Sequence, residues 1–433
     1  MVRKLLKRAG VCLLSLSMVL TGNVGISGAS TSSRKGAAVE TKTGSIVIDG
    51  NDIKADNVNG LTYKGFGMLS ANSTSDLLMD YKSQNPEAYA KLMQYLFGGE
   101  YPIFTHVKLE MGNDRNNSTG SESATKRTKG EKANVLRNPG WQLAADAKKI
   151  NPNLKVSILT WRTPSWVKTD EDKYIWYKQS ILDAYEKYGY MVDYINPNTN
   201  EVWGGAGDVA YTKKFAKWIA AESTKTIADE KALALFKKIK LVVSDEANVV
   251  SSDVANKLKD DKEFMNAVDV VGYHYKTADD ENNAMKWLAE EVDKEVWNSE
   301  EQATFSNSAF RPSTTDKAPT VEGTGIGGSG SALEMGNTVI KSFVESRRGH
   351  VIYQPVIGSY YEGAQYSFKE LVSARDPWSG WMHYDAGLLI LAHISKFAVT
   401  GWENETNTAG IWRGVASASK ASAVQGTTTH TVD

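Results

Sequence analysis

The sequence predicts an α/β fold in the form of a (β/α)8 barrel. The chain has 433 residues, of which 41% are hydrophobic and 23% are charged, and this is typical of a globular protein with a large core. Eight apolar runs typical of buried strands alternate with helical patterns. This alternation fits a closed barrel with insertions better than an open doubly wound sheet.

The strands and helices follow one another along most of the chain. The predicted strands are Leu61–Met68, Ile103–Met111, Lys155–Thr160, Met191–Ile195, Ile239–Val243, Val268–Tyr273, Glu295–Ser299 and His350–Ile357. The predicted helices are Pro86–Phe97, Trp141–Ile150, Tyr174–Tyr188, Thr212–Ala221, Met285–Val292, Glu334–Ser346 and Gly387–Ala398. Ser306–Ser331 is rich in Gly, Ser and Thr and predicts a long loop over the carboxyl ends of the strands.

Residues 1–29 predict a signal peptide. Four cations among the first eight residues precede the apolar run Val11–Leu20, and small residues follow at Ser27–Ala29. The apolar run is too short to span a bilayer as a helix. We therefore expect a secreted protein that has no membrane span after signal removal. The only cysteine, Cys12, would leave with the signal, so no disulfide is expected.

Composition excludes several classes of partner. Fifty Lys and Arg residues against 51 Asp and Glu residues give a net charge of -1, so no nucleic-acid partner is expected. With six His and no cysteine in the mature chain, the sequence predicts no metal site and no cofactor. A G-x-S-x-G elbow and a phosphate-binding P-loop are both absent from the sequence. The 12 Trp and 19 Tyr residues suit a sugar-binding cleft, because their rings are flat and apolar with polar edges.

Two predicted strands are followed by carboxylates. The fourth run leads to Asn200 and Glu201, and the seventh leads to Glu300 and Glu301. Strands four and seven lie on opposite sides of a barrel mouth, so two carboxylates there can face each other across a cleft, as hydrolysis of a glycosidic bond requires. The alternative for Glu201 is a solvated loop acid, and the pattern alone does not choose between Glu300 and Glu301.

Aromatic and imidazole side chains follow other predicted strands. Trp161 follows the third, Tyr273, His274 and Tyr275 follow the sixth, and Tyr366 comes after the eighth. A ring can stack on the C–H face of a sugar, but from the pattern alone packing in the core or at the barrel rim is the more common role of a Trp or Tyr. His274 is predicted to be a hydrogen-bonded residue of the barrel rim and not a metal ligand.

Several of these segments together resemble glycoside hydrolase family 59, the galactosylceramidase family. The resemblance extends from about Leu61 to Trp402 and implies the same barrel fold. Its motifs are Gly65–Ser70, Val107–Asp114, Leu159–Trp166, Val268–Tyr275, Ser359–Glu362 and Arg375–Gly380.

The resemblance implies a mechanism and a site. Glu201 matches the acid/base, Glu300 matches the nucleophile, and Asn200 matches the residue that hydrogen-bonds the sugar's 2-hydroxyl. Trp161 and Tyr366 are expected to line the sugar pocket, and Ser118 is expected to hydrogen-bond the sugar. The implied activity is retaining hydrolysis of terminal β-galactosides, in a galactosylceramide-like glycolipid or a glycan, with no cofactor. The alternatives are another β-glycoside, such as a xylan or glucosylceramide, and a non-catalytic carbohydrate-binding barrel.

The family also predicts further domain structure. Its members continue from the barrel into a β-sandwich, so we expect residues 61–400 to form the barrel and residues 401–433 to begin an incomplete sandwich. A strand in residues 30–60, at Ser45–Gly50, is assigned to the same sandwich. The chain departs from the family at Thr199 and Gln354, where tryptophan is usual.

Overall fold

A computed structural model describes residues 59–71, 74–115, 121–203, 205–246, 251–275, 280–301, 332–358, 370–374 and 376–399, and two short strands beyond them. Eight parallel strands close into a barrel in sequence order, and the first pairs with the last. They are β1 Gly65–Ser70, β2 Phe104–Glu110, β3 Lys155–Leu159, β4 Tyr194–Ile195, β5 Lys240–Glu246, β6 Val270–His274, β7 Glu295–Glu301 and β8 His350–Tyr353. The predicted (β/α)8 barrel is therefore confirmed.

Helices connect the strands on the outside of the barrel, as parallel pairing requires. They are α1 Thr74–Gln84, α2 Pro86–Phe97, α3 Pro139–Ile150, α4 Asp170–Tyr188, α5 Ala206–Ala221, α6 Glu230–Phe236, α7 Ser251–Asp260, α8 Lys262–Ala267, α9 Ala284–Lys286, α10 Ala332–Ser346 and α11 Ala386–Ile394. A small sheet contains β9 Ile357–Gly358, β10 Val372–Ala374 and β11 Met382–Tyr384, and β12 Ala423–Val424 pairs with β13 Thr427–Thr428.

Capping residues explain why two of these helices begin where they do. Asn85 accepts a hydrogen bond from the Ala88 N–H, and proline occupies the first turn of α2. Thr169 likewise accepts from the Asp172 N–H at the start of α4, whose first turn carries three acids. Negative side chains are stabilised at this end of a helix by its dipole.

Several predicted boundaries were wrong. The fourth strand is only Tyr194–Ile195, and the end of the eighth predicted strand belongs to β9. The predicted helix Met285–Val292 begins as α9 and continues as a π turn at Trp287–Glu291. β7 continues to Glu301, so Glu300 lies inside a strand and not beyond it.

The barrel interior is aromatic and polar as well as aliphatic. Trp297 contacts the rings of Tyr194, at 4.8 Å between centroids, and His106, at 5.3 Å. His106 hydrogen-bonds His350 at 2.9 Å and Ser157 at 2.7 Å. Burial lowers the pKa of both imidazoles, to about 4 for His350. The two rings are therefore neutral at pH 7 and can share hydrogen bonds inside the barrel.

No helix in the described ranges is both long and apolar enough to cross a membrane. The predicted signal peptide and the predicted sandwich segments, apart from the short β12 and β13, lie outside the described residues.

Substitution of Trp176 tests how much the packing between the helices and the barrel contributes to the free energy of unfolding. It is fully buried on α4, and its indole N–H donates to the Thr125 hydroxyl at 3.1 Å. We expect Trp176→Ala to lower the free energy of unfolding by about 3–5 kcal/mol in denaturant titrations, because it leaves a large cavity. Trp378→Ala is the control, since Trp378 is 70% exposed, and should change it by less than about 0.5 kcal/mol. Equal effects of the two substitutions would contradict this packing.

Candidate active site

Glu201 and Glu300 meet at the carboxyl end of the barrel. Oxygen atoms of the two carboxylates and Nδ1 of His274 all lie within 4.8 Å of one another. Retaining glycosidases place their two carboxyl groups about 5–5.5 Å apart, whereas inverting enzymes need about 6.5–9.5 Å. The approach of the nearest carboxylate oxygen atoms is compatible with the shorter of these two spacings.

Glu201 is held by backbone and side-chain contacts with β5 and with the residues that follow β3. Its N–H donates to the Asp245 carbonyl at 3.0 Å, and the Asn200 N–H donates to the Thr160 carbonyl at 2.9 Å. The Trp161 indole N–H donates to Glu201 Oε2 at 2.9 Å. The backbone of Glu201 is left-handed, with φ 59°, which is unusual for a residue other than glycine. This conformation turns the acid toward the barrel mouth at a local cost of about 1–3 kcal/mol.

Glu300 occupies a more enclosed environment than Glu201. Its side chain is 4% exposed, against 42% for Glu201. The Tyr275 hydroxyl donates to Glu300 Oε1 at 2.7 Å, and the Tyr275 N–H donates to the Glu300 carbonyl at 3.0 Å. Glu300 Oε2 is buried and has no hydrogen-bond partner among the described residues. One carboxylate oxygen is therefore fixed by Tyr275, and the other is buried 3.8 Å from His274 Nδ1.

A chain of buried charged groups supports the acid pair from below. The Lys108 ammonium contacts both carboxylate oxygens of Asp245, at 2.8 and 2.9 Å. Oδ1 of Asp245 also contacts His274 Nε2 at 2.8 Å. His274 Nδ1 then faces the acids, 3.8 Å from Glu300 and 4.0 Å from Glu201. Contact of Nε2 with Asp245 leaves Nδ1 directed at the two glutamate carboxylates.

Strand irregularities place these side chains. The pairing register shifts between Ser244 and Glu246 and between Tyr273 and His274. Ser244, Asp245 and Tyr275 all have left-handed backbones, with φ between 52° and 67°. Bulges of this kind change the direction of a side chain at the end of a strand. They direct Asp245 and His274 toward the centre of the barrel.

The pKa shifts follow from these surroundings. Burial and the neighbouring Glu300 raise the pKa of Glu201, although His274 and the indole of Trp161 oppose the rise. Burial disfavours the charged form of His274, but Glu300 and Asp245 outweigh it and raise the pKa of His274. Burial also disfavours ionised Asp245, yet Lys108 and His274 hold its pKa well below its usual range. Glu201 is therefore the acid of the pair that is suited to carry a proton.

The structure brings together four of the predicted polar and aromatic side chains, and it changes the role of His274. Glu201, Glu300, Asn200 and Trp161 lie at one site, and Asn200 is buried. Ser118 and Tyr366 lie outside the described residues. His274 is not a rim residue: it is 1% exposed and lies beneath the acids.

Glu301 does not share the position of Glu300. Its carboxylate accepts from the Asn298 amide at 2.7 Å.

Glu201, His274 and Glu300 converge closely enough to offer a metal ion an imidazole and two carboxylates. The absence of a metal stays a prediction.

Sequence reasoning missed Lys108 and Asp245. A signal was present for Lys108, because it is a charged residue inside an apolar strand pattern, where an ion needs a partner. Asp245 follows the predicted fifth strand, and the sequence does not show which way its side chain points.

The barrel and its close carboxylate pair define the class of (β/α)8-barrel glycoside hydrolases. The chain belongs to glycosyl hydrolase family 59, whose model matches residues 63–396. It is 25% identical over 355 residues to the galactocerebrosidase of Danio rerio, covering 79% of this chain and 46% of the relative. It is 26% identical over 383 residues to the galactocerebrosidase of Homo sapiens, covering 84% of this chain and 48% of the relative. The chain thus spans about half the length of these relatives.

Solved structures share the fold at low identity. SrfJ from Salmonella typhimurium superposes with a TM-score of 0.59 at 13% identity, covering 78% of this chain and 75% of that one. The catalytic domain of xylanase C from Talaromyces cellulolyticus gives 0.52 at 12% identity, covering 78% and 77%. These likenesses support the barrel fold alone.

Asp245 provides a test of the buried charge chain. Asp245→Asn leaves the Lys108 ammonium, which is 4% exposed, without its counter-charge. We expect the free energy of unfolding at pH 7 to fall by about 3–5 kcal/mol in urea titrations. The exposed pair of Asp114 and Arg127 is the control, and Asp114→Asn should cost about 1 kcal/mol or less.

The pH dependence of this stabilisation has a fixed sign. The folded-state pKa of Asp245 is lowered, so its contribution is complete above the unfolded pKa of about 3.9 and is lost as the pH falls. Below about pH 4 the wild-type chain should therefore lose stability more steeply than Asp245→Asn. Parallel pH profiles of the two proteins would be inconsistent with an ionised Asp245.

Proposed function

We propose that this protein is a retaining glycoside hydrolase that removes a terminal β-galactosyl residue from a galactosylceramide-like glycolipid or a glycan. The observation that supports it most is the approach of Glu201 and Glu300, with His274, to within 4.8 Å in a family 59 barrel. The β-galactosyl specificity comes from the similarity to relatives named galactocerebrosidases. Because those relatives are about twice as long, the assignment of substrate is part of the proposal.

The proposed reaction has two displacement steps. In the first, a carboxylate oxygen of Glu300 attacks the anomeric carbon while Glu201 gives its proton to the departing glycosidic oxygen. The aglycone leaves as an alcohol, and the sugar is bound covalently to Glu300. In the second step, Glu201 takes a proton from water, whose oxygen attacks the same carbon. Glu300 is released as a carboxylate, Glu201 is protonated again, and the anomeric configuration is retained.

The surroundings of each acid suit these roles. The raised pKa of Glu201 favours the protonated form that the first step needs. The Tyr275 hydroxyl donates to one oxygen of Glu300 at 2.7 Å, and the other oxygen has no hydrogen-bond partner among the described residues, so it keeps its lone pairs for the attack. Trp161 contacts Glu201 through its indole N–H, so its ring can form a wall of the sugar pocket beside the acid. We assign Asn200 to the sugar's 2-hydroxyl, as the family resemblance implies.

A second candidate is a retaining hydrolase for another β-glycoside, such as a xylan or glucosylceramide. It rests on Thr199 and Gln354, which replace the tryptophans usual in the family. A panel of aryl β-glycosides separates the two candidates, and proton NMR of the first-formed sugar reports retention. The non-catalytic binding barrel would leave every glycoside of the panel intact.

Secretion is also proposed, from residues 1–29, and cleavage near residue 29 in the exported protein would support it.

The acid pair is tested by removing one carboxylate at a time. We expect Glu201→Gln to reduce kcat/KM for an aryl β-galactoside by about 10²–10⁴-fold, because the leaving oxygen is no longer protonated. A dinitrophenyl leaving group needs little protonation, so cleavage of that substrate should be affected far less. Glu300→Gln should abolish both reactions.

Glu301→Gln is the matched control for this pair. Its side chain is held by Asn298, so the change should cost less than about tenfold. The assignment would be refuted if Glu201→Gln left hydrolysis of the less activated aryl β-galactoside unchanged, or if Glu300→Gln left hydrolysis of either substrate unchanged.

His274 and Trp161 are expected to adjust the proton affinity of Glu201 as positioning residues. Both lower its pKa, so His274→Gln and Trp161→Phe should raise it further. Hydrolysis requires protonated Glu201, so the alkaline limb of the kcat/KM profile should move to higher pH in both variants. His383→Gln is a control at an exposed histidine outside the site. An alkaline limb that stays in place would show that neither residue acts through Glu201.

A further inference from the structure

A cavity of about 760 Å³ opens at the amino ends of the barrel strands. It is lined by the strand starts Lys155, Tyr194, Lys240 and Glu295, whereas Glu201 and Glu300 lie at the opposite ends of the strands. Cavities of about 300–1,000 Å³ commonly bind small molecules. The amino face of such barrels ordinarily contributes to stability and not to chemistry, so this cavity is separate from the proposed active site.

The cavity carries an excess of positive charge. Its lining includes two carboxylates, Asp193 and Glu295, and six lysines, so positive side chains outnumber negative ones by four, although Lys149 also pairs with Asp146 at 3.4 Å outside the lining. The lysines are Lys64, Lys148, Lys149, Lys155, Lys238 and Lys240. A concave surface lined by one sign of charge concentrates counter-ions of the opposite sign.

Each carboxylate of the cavity is shared between two ammonium groups. Glu295 lies 2.7 Å from Lys64 and 3.3 Å from Lys240. Asp193 lies 3.4 Å from Lys155 and 3.8 Å from Lys148. The Asp193 carboxylate also accepts the Val156 N–H, and Glu295 accepts the Trp297 indole N–H. Neither acid therefore has the capacity to neutralise both of its lysines.

Helix ends account for only part of this cluster. Lys148 and Lys149 are in the last turn of α3, where a cation interacts favourably with the helix dipole. Lys64, Lys155 and Lys240 are at or beside strand starts, where no such dipole acts. Burial lowers the pKa of Lys64 and of Lys148. The adjacent Lys240 lowers the pKa of Lys64 further, and Lys155 does the same for Lys148.

We propose that this cavity binds a small phosphate or sulfate ester. A tetrahedral oxyanion accepts several charge-assisted hydrogen bonds at once, and the lysine ammonium groups of the cavity can donate such bonds. Tyr188 and Tyr190, whose rings lie 6.2 Å apart, supply an apolar wall for the organic part of the ligand. The inference goes beyond the proposed hydrolase activity and does not depend on it.

Calorimetric titration of the full chain with inorganic pyrophosphate at low ionic strength tests the proposal. We expect saturable binding at one site and an increase in the Tm at saturation. The double substitution Lys149→Gln and Lys238→Gln should weaken binding about tenfold, because two charge-assisted contacts are lost. Both side chains are exposed, so the fold should be kept. Lys237→Gln is the control, since Lys237 is adjacent to Lys238 but does not line the cavity.

Glycerol phosphate and methyl sulfate distinguish the two sources of the oxyanion. Glycerol phosphate carries close to two negative charges at pH 7. Tighter binding of glycerol phosphate would assign the site to phosphate esters, and tighter binding of methyl sulfate would assign it to sulfate esters. Pyrophosphate binding should persist in Glu201→Gln. In the wild-type chain, bound pyrophosphate should leave the KM for an aryl galactoside unchanged. Absence of saturable binding, or equal weakening by Lys237→Gln, would overturn the proposal whether or not the protein hydrolyses glycosides.

Discussion

The buried ion pair between Lys108 and Asp245 is the constraint on which the site depends. It joins β2 to β5 across the barrel interior, where both side chains are almost fully enclosed. An ion pair in such a place is costly to form and still more costly to break. Its presence inside the barrel is explained by the side chains that it positions. Asp245 contacts His274, and His274 faces both acids.

The acid pair combines one shielded carboxylate with one accessible carboxylate. Tyr275 fixes an oxygen of Glu300 inside the barrel wall, while Glu201 is attached to the indole of Trp161 at the rim. Two carboxylates at this distance repel each other when both are ionised, which favours a proton on one of them. Burial and the neighbouring Glu300 raise the pKa of Glu201, which favours its protonated form. The strained backbones at Glu201 and Tyr275 are the local cost of this arrangement.

The sequence alone was sufficient for the barrel but not for the support of the site. The alternation of apolar runs and helical patterns predicts β1 to β8 because each strand must bury both faces. The pair Asn200 and Glu201 could be found because it follows a strand, whereas the choice of Glu300 over Glu301 needed the family resemblance. Asp245 could not be placed, since its direction depends on a bulge at Ser244 to Glu246 that shifts the pairing register. Periodicity carries no signal for one extra residue in a strand.

The unequal exposure of the two acids has a consequence for the range of molecules that can be cleaved. Glu300 is enclosed, so the glycone that it would attack is surrounded by fixed groups and is subject to strict steric selection. Glu201 is 42% exposed, and the departing alcohol would pass on its side of the cleft. On the proposed mechanism, the described residues therefore impose more shape selection on the sugar beside Glu300 than on the alcohol that departs beside Glu201.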